Sequence, residues 1–154
     1  MSTATVPSNA PLRAAPATGP VAALRSDDAG FQAFWMLRVA FAVAPILFGA
    51  DKFANVLVDW PKYLAPWIHD IVGGSAQDFM YVVGVVEIVA GLIVLLKPRY
   101  GAPIVVGWLI GIIVNLVSGH GYYDIALRDF GLMLGALTLT RLAWRYDPPA
   151  FGRF

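Results

Sequence analysis

Four apolar runs, each about one membrane thickness long, follow one another along the chain with short polar breaks between them. The first runs from about Phe31 to Phe53 and the second from Ser75 to Lys97. The third covers about Ala102 to Ser118 and the fourth about Asp124 to Trp144. Each run is continuous and too long for a strand, so four helices are predicted. Ser75 and Asp78 stand at capping-box spacing at the head of the second run, and Lys97-Pro98 closes it. Between the first two runs, residues 58–74 carry Pro61, Pro66, Trp60, Tyr63 and Trp67. Prolines that fit first helical turns, with aromatics suited to the membrane boundary, predict one or two short interfacial helices there. The expected fold is all-α: a polytopic membrane protein, a bundle of four transmembrane helices with short interfacial helices between spans one and two.

Small and polar residues recur on shared faces within these helices. Arg38, Ala42, Pro45, Gly49 and Lys52 line one face of the first, and Gly84, Glu87 and Gly91 one face of the second. Gly107, Gly111 and Asn115 do so in the third, and Asp124, Arg128, Gly131, Gly135 and Thr138 in the fourth. Such faces let membrane helices approach closely. Glu87 is the conspicuous member, because an acid within a span is costly unless something meets it. Converting sequence offset to depth puts Arg38 at about 10 Å from the expected cytoplasmic boundary, Glu87 at about 15 Å, and Asn115, Arg128 and Asp129 at about 18–20 Å. Asp51, Lys52, His120 and Asp124 fall nearer the outer side, at about 25–30 Å. The expectation is therefore an intramembrane cluster of Arg38, Glu87, Asn115, Arg128 and Asp129, with Glu87 paired to an arginine. Asp51, Lys52, His120 and Asp124 would form a separate outer polar group. A balanced cluster serves packing or chemistry equally well.

Composition supports the membrane reading and removes several chemistries. Of 154 residues, 58% are hydrophobic and only 14% charged, and mean hydropathy is +0.67. With no cysteine, a thiol relay, an iron–sulfur cluster and a Cys-bound metal are excluded within this chain. His69 and His120 are far apart, so no metal site is expected. The formal charge of +1 builds no basic field, and nucleic acid is not an expected partner. Residues 1–30, rich in Ala, Pro, Ser and Thr, read as a disordered tail, 31–145 as the membrane domain and 146–154 as a short second tail. Four spans put both tails on the side that also carries Lys97, Arg99, Arg141 and Arg145, which the positive-inside rule makes cytoplasmic.

Three segments, in order, resemble the DoxX-like family of small membrane proteins. They are Arg38 followed by FGADKF (48–53), then GVVEIVAGLIVLL (84–96), then ALRDFGLMLGALTL (126–139). The resemblance implies a four-helix membrane fold and an association with redox systems such as thiosulfate–quinone oxidation. It carries over Arg38, Lys52, Glu87, Arg128 and Asp129. On that basis the expected role is an accessory or anchoring subunit of a quinone-linked redox or respiratory assembly, more an attachment than a catalyst. Its surroundings would be the bilayer, other redox subunits or further copies of itself. No resident cofactor is expected, and quinone is the candidate passing ligand. One alternative is a quinone-reactive subunit that uses the carboxylate–arginine cluster. Another is a bundle that binds a small solute or lipid.

Overall fold

Asp28 starts the first long helix. Its carboxylate accepts hydrogen bonds from the Gly30 and Phe31 amides at 2.9 and 3.2 Å, satisfying two donors that a helix start leaves free. The computed structural model describes residues 19–119 and 121–147. Within them lie a short helix α1 (Pro20–Leu24), α2 (Ala29–Ala54), a 3-10 turn (Trp60–Tyr63), α3 (Pro66–Val72), α4 (Ala76–Leu96), α5 (Pro98–Ser118) and α6 (Tyr123–Tyr146). Part of the stretch expected to be a disordered tail is thus helical, at Pro20–Leu24, while residues 1–18 and 148–154 lie outside the described residues.

The ends of α4 follow from sequence. Ser75 Oγ accepts from the Asp78 amide at 3.1 Å while Asp78 turns back to Ser75, so both halves of the capping box form. At its other end no loop intervenes: Lys97 ends α4 and precedes Pro98, the first residue of α5. Proline fits there because its missing amide would have had no partner in a first helical turn. Asn55 ends α2 in the left-handed conformation, φ 50°, and its amide donates to Asp51 O at 2.6 Å.

α2 packs antiparallel to α4, and glycine sets the distance. A Cβ added to Gly49 would sit 2.6 Å from Gly84 O, and one added to Gly84 would sit 2.6 Å from Gly49 O. The two backbones therefore touch where either glycine alone would not allow it. One turn pair further along, Gly91 lies against Ala42, and Arg38 reaches Leu95 O. α5 and α6 form a second antiparallel pair, and Phe34, Phe41, Val94, Leu109 and Leu139 fill the space among the four long helices. Tyr146, at the end of α6, comes back to the start of α2. Its ring lies 5.6 Å from those of Phe31 and Phe34, and its hydroxyl donates to Asp28 Oδ2 at 2.9 Å.

The described residues are thus all-helical with several long apolar helices, consistent with a small membrane protein. The number of spans is corrected. Among the described residues three helices, α2, α4 and α5, are long and apolar enough to cross a membrane. α6 is long enough, but Asp124, Arg128, Asp129, Arg141 and Arg145 are spread along it and break up every stretch of membrane length. The four-span expectation counted its apolar residues and underweighted that charge. The inference that both tails are cytoplasmic loses its even span count, although Asp28 and Tyr146 do meet at one end of the bundle.

A buried lysine–glutamate pair as candidate functional site

The close Gly49–Gly84 contact has a direct chemical result. One turn beyond Gly49, the Lys52 side chain runs inward across the face of Gly84, and its Nζ reaches Glu87 Oε2 at 2.6 Å. Lys52 is 4% and Glu87 6% exposed, so this ion pair is withdrawn from solvent on both sides. Such a pair holds when its remaining hydrogen-bonding capacity is also met. Here two tryptophans meet part of it. Trp108 of α5 donates its indole N–H to Glu87 Oε1 at a long 3.4 Å. The Trp60 ring faces Lys52 Nζ at 3.8 Å, a cation–π contact in a dry setting.

Trp60 is held in place by Asp51. The Asp51 carboxylate accepts from the Trp60 indole N–H at 2.7 Å and from the Val56 and Leu57 amides at 3.0 and 3.1 Å. Adjacent residues of the GADKF segment therefore divide the work: Asp51 folds the turn after α2, and Lys52 enters the bundle beneath it. Gln77 joins α4 to the same corner by donating to Lys52 O at 2.9 Å and accepting from Asn55 Nδ2 at 2.8 Å. Asn115 closes the corner from α5. Its Oδ1 accepts from the Ala65 amide and its Nδ2 donates to Tyr63 O, both at 2.8 Å, so one side chain pins the loop at two points.

The structure thus brings Glu87 to Lys52 and separates it from the arginines expected to meet it. Arg38 donates Nη2 to Leu95 O at 2.6 Å, stacks 4.5 Å from the Trp35 ring, and so covers a free carbonyl of the last turn of α4. Asn115 serves the loop and has no hydrogen bond to Glu87. Asp129 is half-buried and lies within electrostatic reach of Glu87 and Arg128. Arg128 and Asp124 are exposed, with no hydrogen bond or ion pair to any described residue. Of the outer group, Asp51 and Lys52 belong to the central site, and His120 lies outside the described residues.

The physical reason is register. With Arg38 opposite Leu95 and Gly49 opposite Gly84, Phe31 sits about five residues, or about 7 Å, beyond the level of Lys97 rather than beside it. That shift lowers Arg38 out of reach and brings Lys52 down to where its four-carbon stem spans the remaining gap. The site also holds two tryptophans, Trp60, which the sequence marks only as an interfacial aromatic, and Trp108. Trp108 carried a usable signal, since an indole N–H within an apolar helix needs an acceptor and Glu87 is the acid at similar depth.

Among the described residues no three His, Asp or Glu side chains gather as a metal site would require. An open apolar cleft of about 540 Å³ lies between α1 and the first half of α2, lined by Leu24, Gln32, Trp35 and Met36 among others, away from Glu87. Compared with family models, curated proteins and solved structures, the chain finds no match in any of the three.

Proposed function

We propose that this protein is a membrane-embedded accessory subunit that anchors a quinone-linked redox assembly and has no turnover of its own. The observation that carries the reading is the closure of the Lys52–Glu87 pair beneath Trp60 and Trp108. Its charges are spent on joining α2, α4 and α5, which is what a scaffold needs of an intramembrane acid. The redox association comes from the likeness of FGADKF, GVVEIVAGLIVLL and ALRDFGLMLGALTL to DoxX-like segments. Arg25, Lys97, Arg99, Arg141 and Arg145 lie toward the end of the bundle where Asp28 meets Tyr146, and that end is assigned to the cytoplasm. The test is purification at native abundance in mild detergent, with respiration measured in a strain lacking the protein. Stable association with a quinone-linked dehydrogenase, and lowered quinone-coupled oxygen uptake without the protein, is expected. A lone protein whose loss leaves uptake unchanged defeats the proposal.

A second reading has one observation in its favour. Glu87 Oε1 receives only the long 3.4 Å contact from Trp108, so it retains capacity to accept a proton from a reduced quinone ring. Glu87→Gln separates the two. An assembled complex without quinone turnover favours proton exchange at Glu87, and joint loss of assembly and turnover favours anchoring.

A further inference from the structure

The face of α6 turned away from α2 and α5 is covered by no other described element and has an unusual make-up. Asp124, Leu127, Gly131, Leu134, Thr138 and Arg141 recur at spacings of three and four, and all are exposed. Leu127 is 72% exposed, and a Cβ built on Gly131 meets nothing within 4 Å. Arg128 stands beside this seam, about 8 Å in from the start of α6. Leu127 and Phe130, both exposed, flank it, and it has no ion pair among the described residues. Asp129, its chain neighbour, lies within electrostatic reach, but no described carboxylate forms an ion pair with Arg128, so a carboxylate presented at that level by a partner would complete its pairing.

We infer that a second copy of this chain supplies it, with α6 packed against α6 about a two-fold axis. The face is self-complementary. Asp124 and Arg128 are one helical turn apart and opposite in charge, so in a parallel pair each Arg128 reaches along one turn to the partner's Asp124. The four groups together carry no net charge. Gly131, one turn further, gives the open surface where the two backbones cross, and Leu127 and Leu134 close over it from either side. Crossing there also lets the Arg141 ends diverge, which keeps like charges apart. The inference rests on the membrane reading and is independent of the redox proposal.

The absence of cysteine gives a clean test. Gly131→Cys and, as control, Val82→Cys on the exposed face of α4 each make a single-cysteine protein for oxidation in native membranes. Disulfide-linked dimer from Gly131→Cys and none from Val82→Cys is expected. Native mass spectrometry of the wild type should give two copies, Arg128→Glu one copy, and Asp124→Arg combined with Arg128→Glu two copies again. A monomeric wild type, a Gly131→Cys adduct only with a different chain, or a dimer indifferent to Arg128→Glu overturns the inference. Because Gly131 has open space around it, the membrane cross-link decides the matter even where a charge variant does not fold.

Discussion

The seam between α2 and α4 and the outer face of α6 are built of the same materials: glycine, a charged side chain and branched apolar residues at helical spacing. In the first, glycine faces glycine so closely that an added Cβ on either would lie 2.6 Å from the other's carbonyl oxygen, and the charge is buried against its opposite. In the second, glycine faces open space and Arg128 forms no ion pair among the described residues. Which outcome a small-and-charged stripe takes is settled by what the opposing helix offers at the same level. Gly84 offers clearance and Glu87 a countercharge, so the stripe on α2 closes. No described helix stands opposite Arg128, so the stripe on α6 stays open.

The sharpest way to break the closed side is Glu87→Leu, which leaves the Lys52 ammonium buried and alone. A loss of about 3–5 kcal/mol is expected, read as a large drop in the thermal midpoint in detergent. Adding Lys52→Met to it removes the bare charge, and most of the loss should return. A double variant as unstable as the single would mean the pair is not coupled as described. Next in size is the glycine contrast. Gly84→Val forces apart backbones already in contact and should cost about 1–3 kcal/mol. Gly131→Val meets nothing and should leave the single chain within about 0.5 kcal/mol of wild type. Equal effects would erase the difference between the two faces.

Asn115→Ala removes both hydrogen bonds that pin Tyr63 and Ala65, with a loss of about 1–3 kcal/mol. The loop around residues 60–65 should then be cut faster by protease than the helices, because Trp60 loses part of its support over Lys52. Uniformly faster cleavage would instead point to global destabilisation.

The smallest expected effect is at the opposite end of the bundle. The Tyr146 hydroxyl, together with the Phe31 and Gly30 amides, holds the Asp28 carboxyl below its ordinary 3.8. Burial and the bond to Asp28 hold the Tyr146 phenol above its ordinary 10.0. The stabilising effect of Asp28 is therefore present above about pH 4 and lost as the solution is acidified through its lowered value. That of Tyr146 is complete below about pH 10 and lost as alkali carries the pH through its raised value. Protection of the Gly30 and Phe31 amides, taken relative to their intrinsic base-catalysed exchange at each pH, should be greatest between these limits. Tyr146→Phe should abolish the alkaline limb and leave an acid limb nearer to pH 4, and an unchanged profile would exclude the contact as its source.

Much of the fold is legible in the sequence because its signals are local. The Ser75–Asp78 box, the Lys97-Pro98 step and the four apolar runs place the long helices to within a few residues. Two matters are not local. Hydropathy marks where a helix is apolar but not how far it slides along a neighbour, and that slide, fixed by Gly49 on Gly84, decided which cation meets Glu87. Charge spread along α6 separates it from the three spans only when weighed over the whole helix. The candidate site was half visible: Glu87 and Lys52 stood out singly, while Trp60, Trp108 and the folding role of Asp51 came from contacts across elements.

The direct step from Lys97 into Pro98 leaves α4 and α5 without slack between them. A residue inserted at that joint would turn all of α5 by about 100° about its axis. Trp108 would swing off Glu87 and Asn115 off the loop in a single event, though neither lies near the insertion. The joint thus acts as a phase reference for the whole site, and its length, more than the identity of any one side chain there, is the quantity that must be kept.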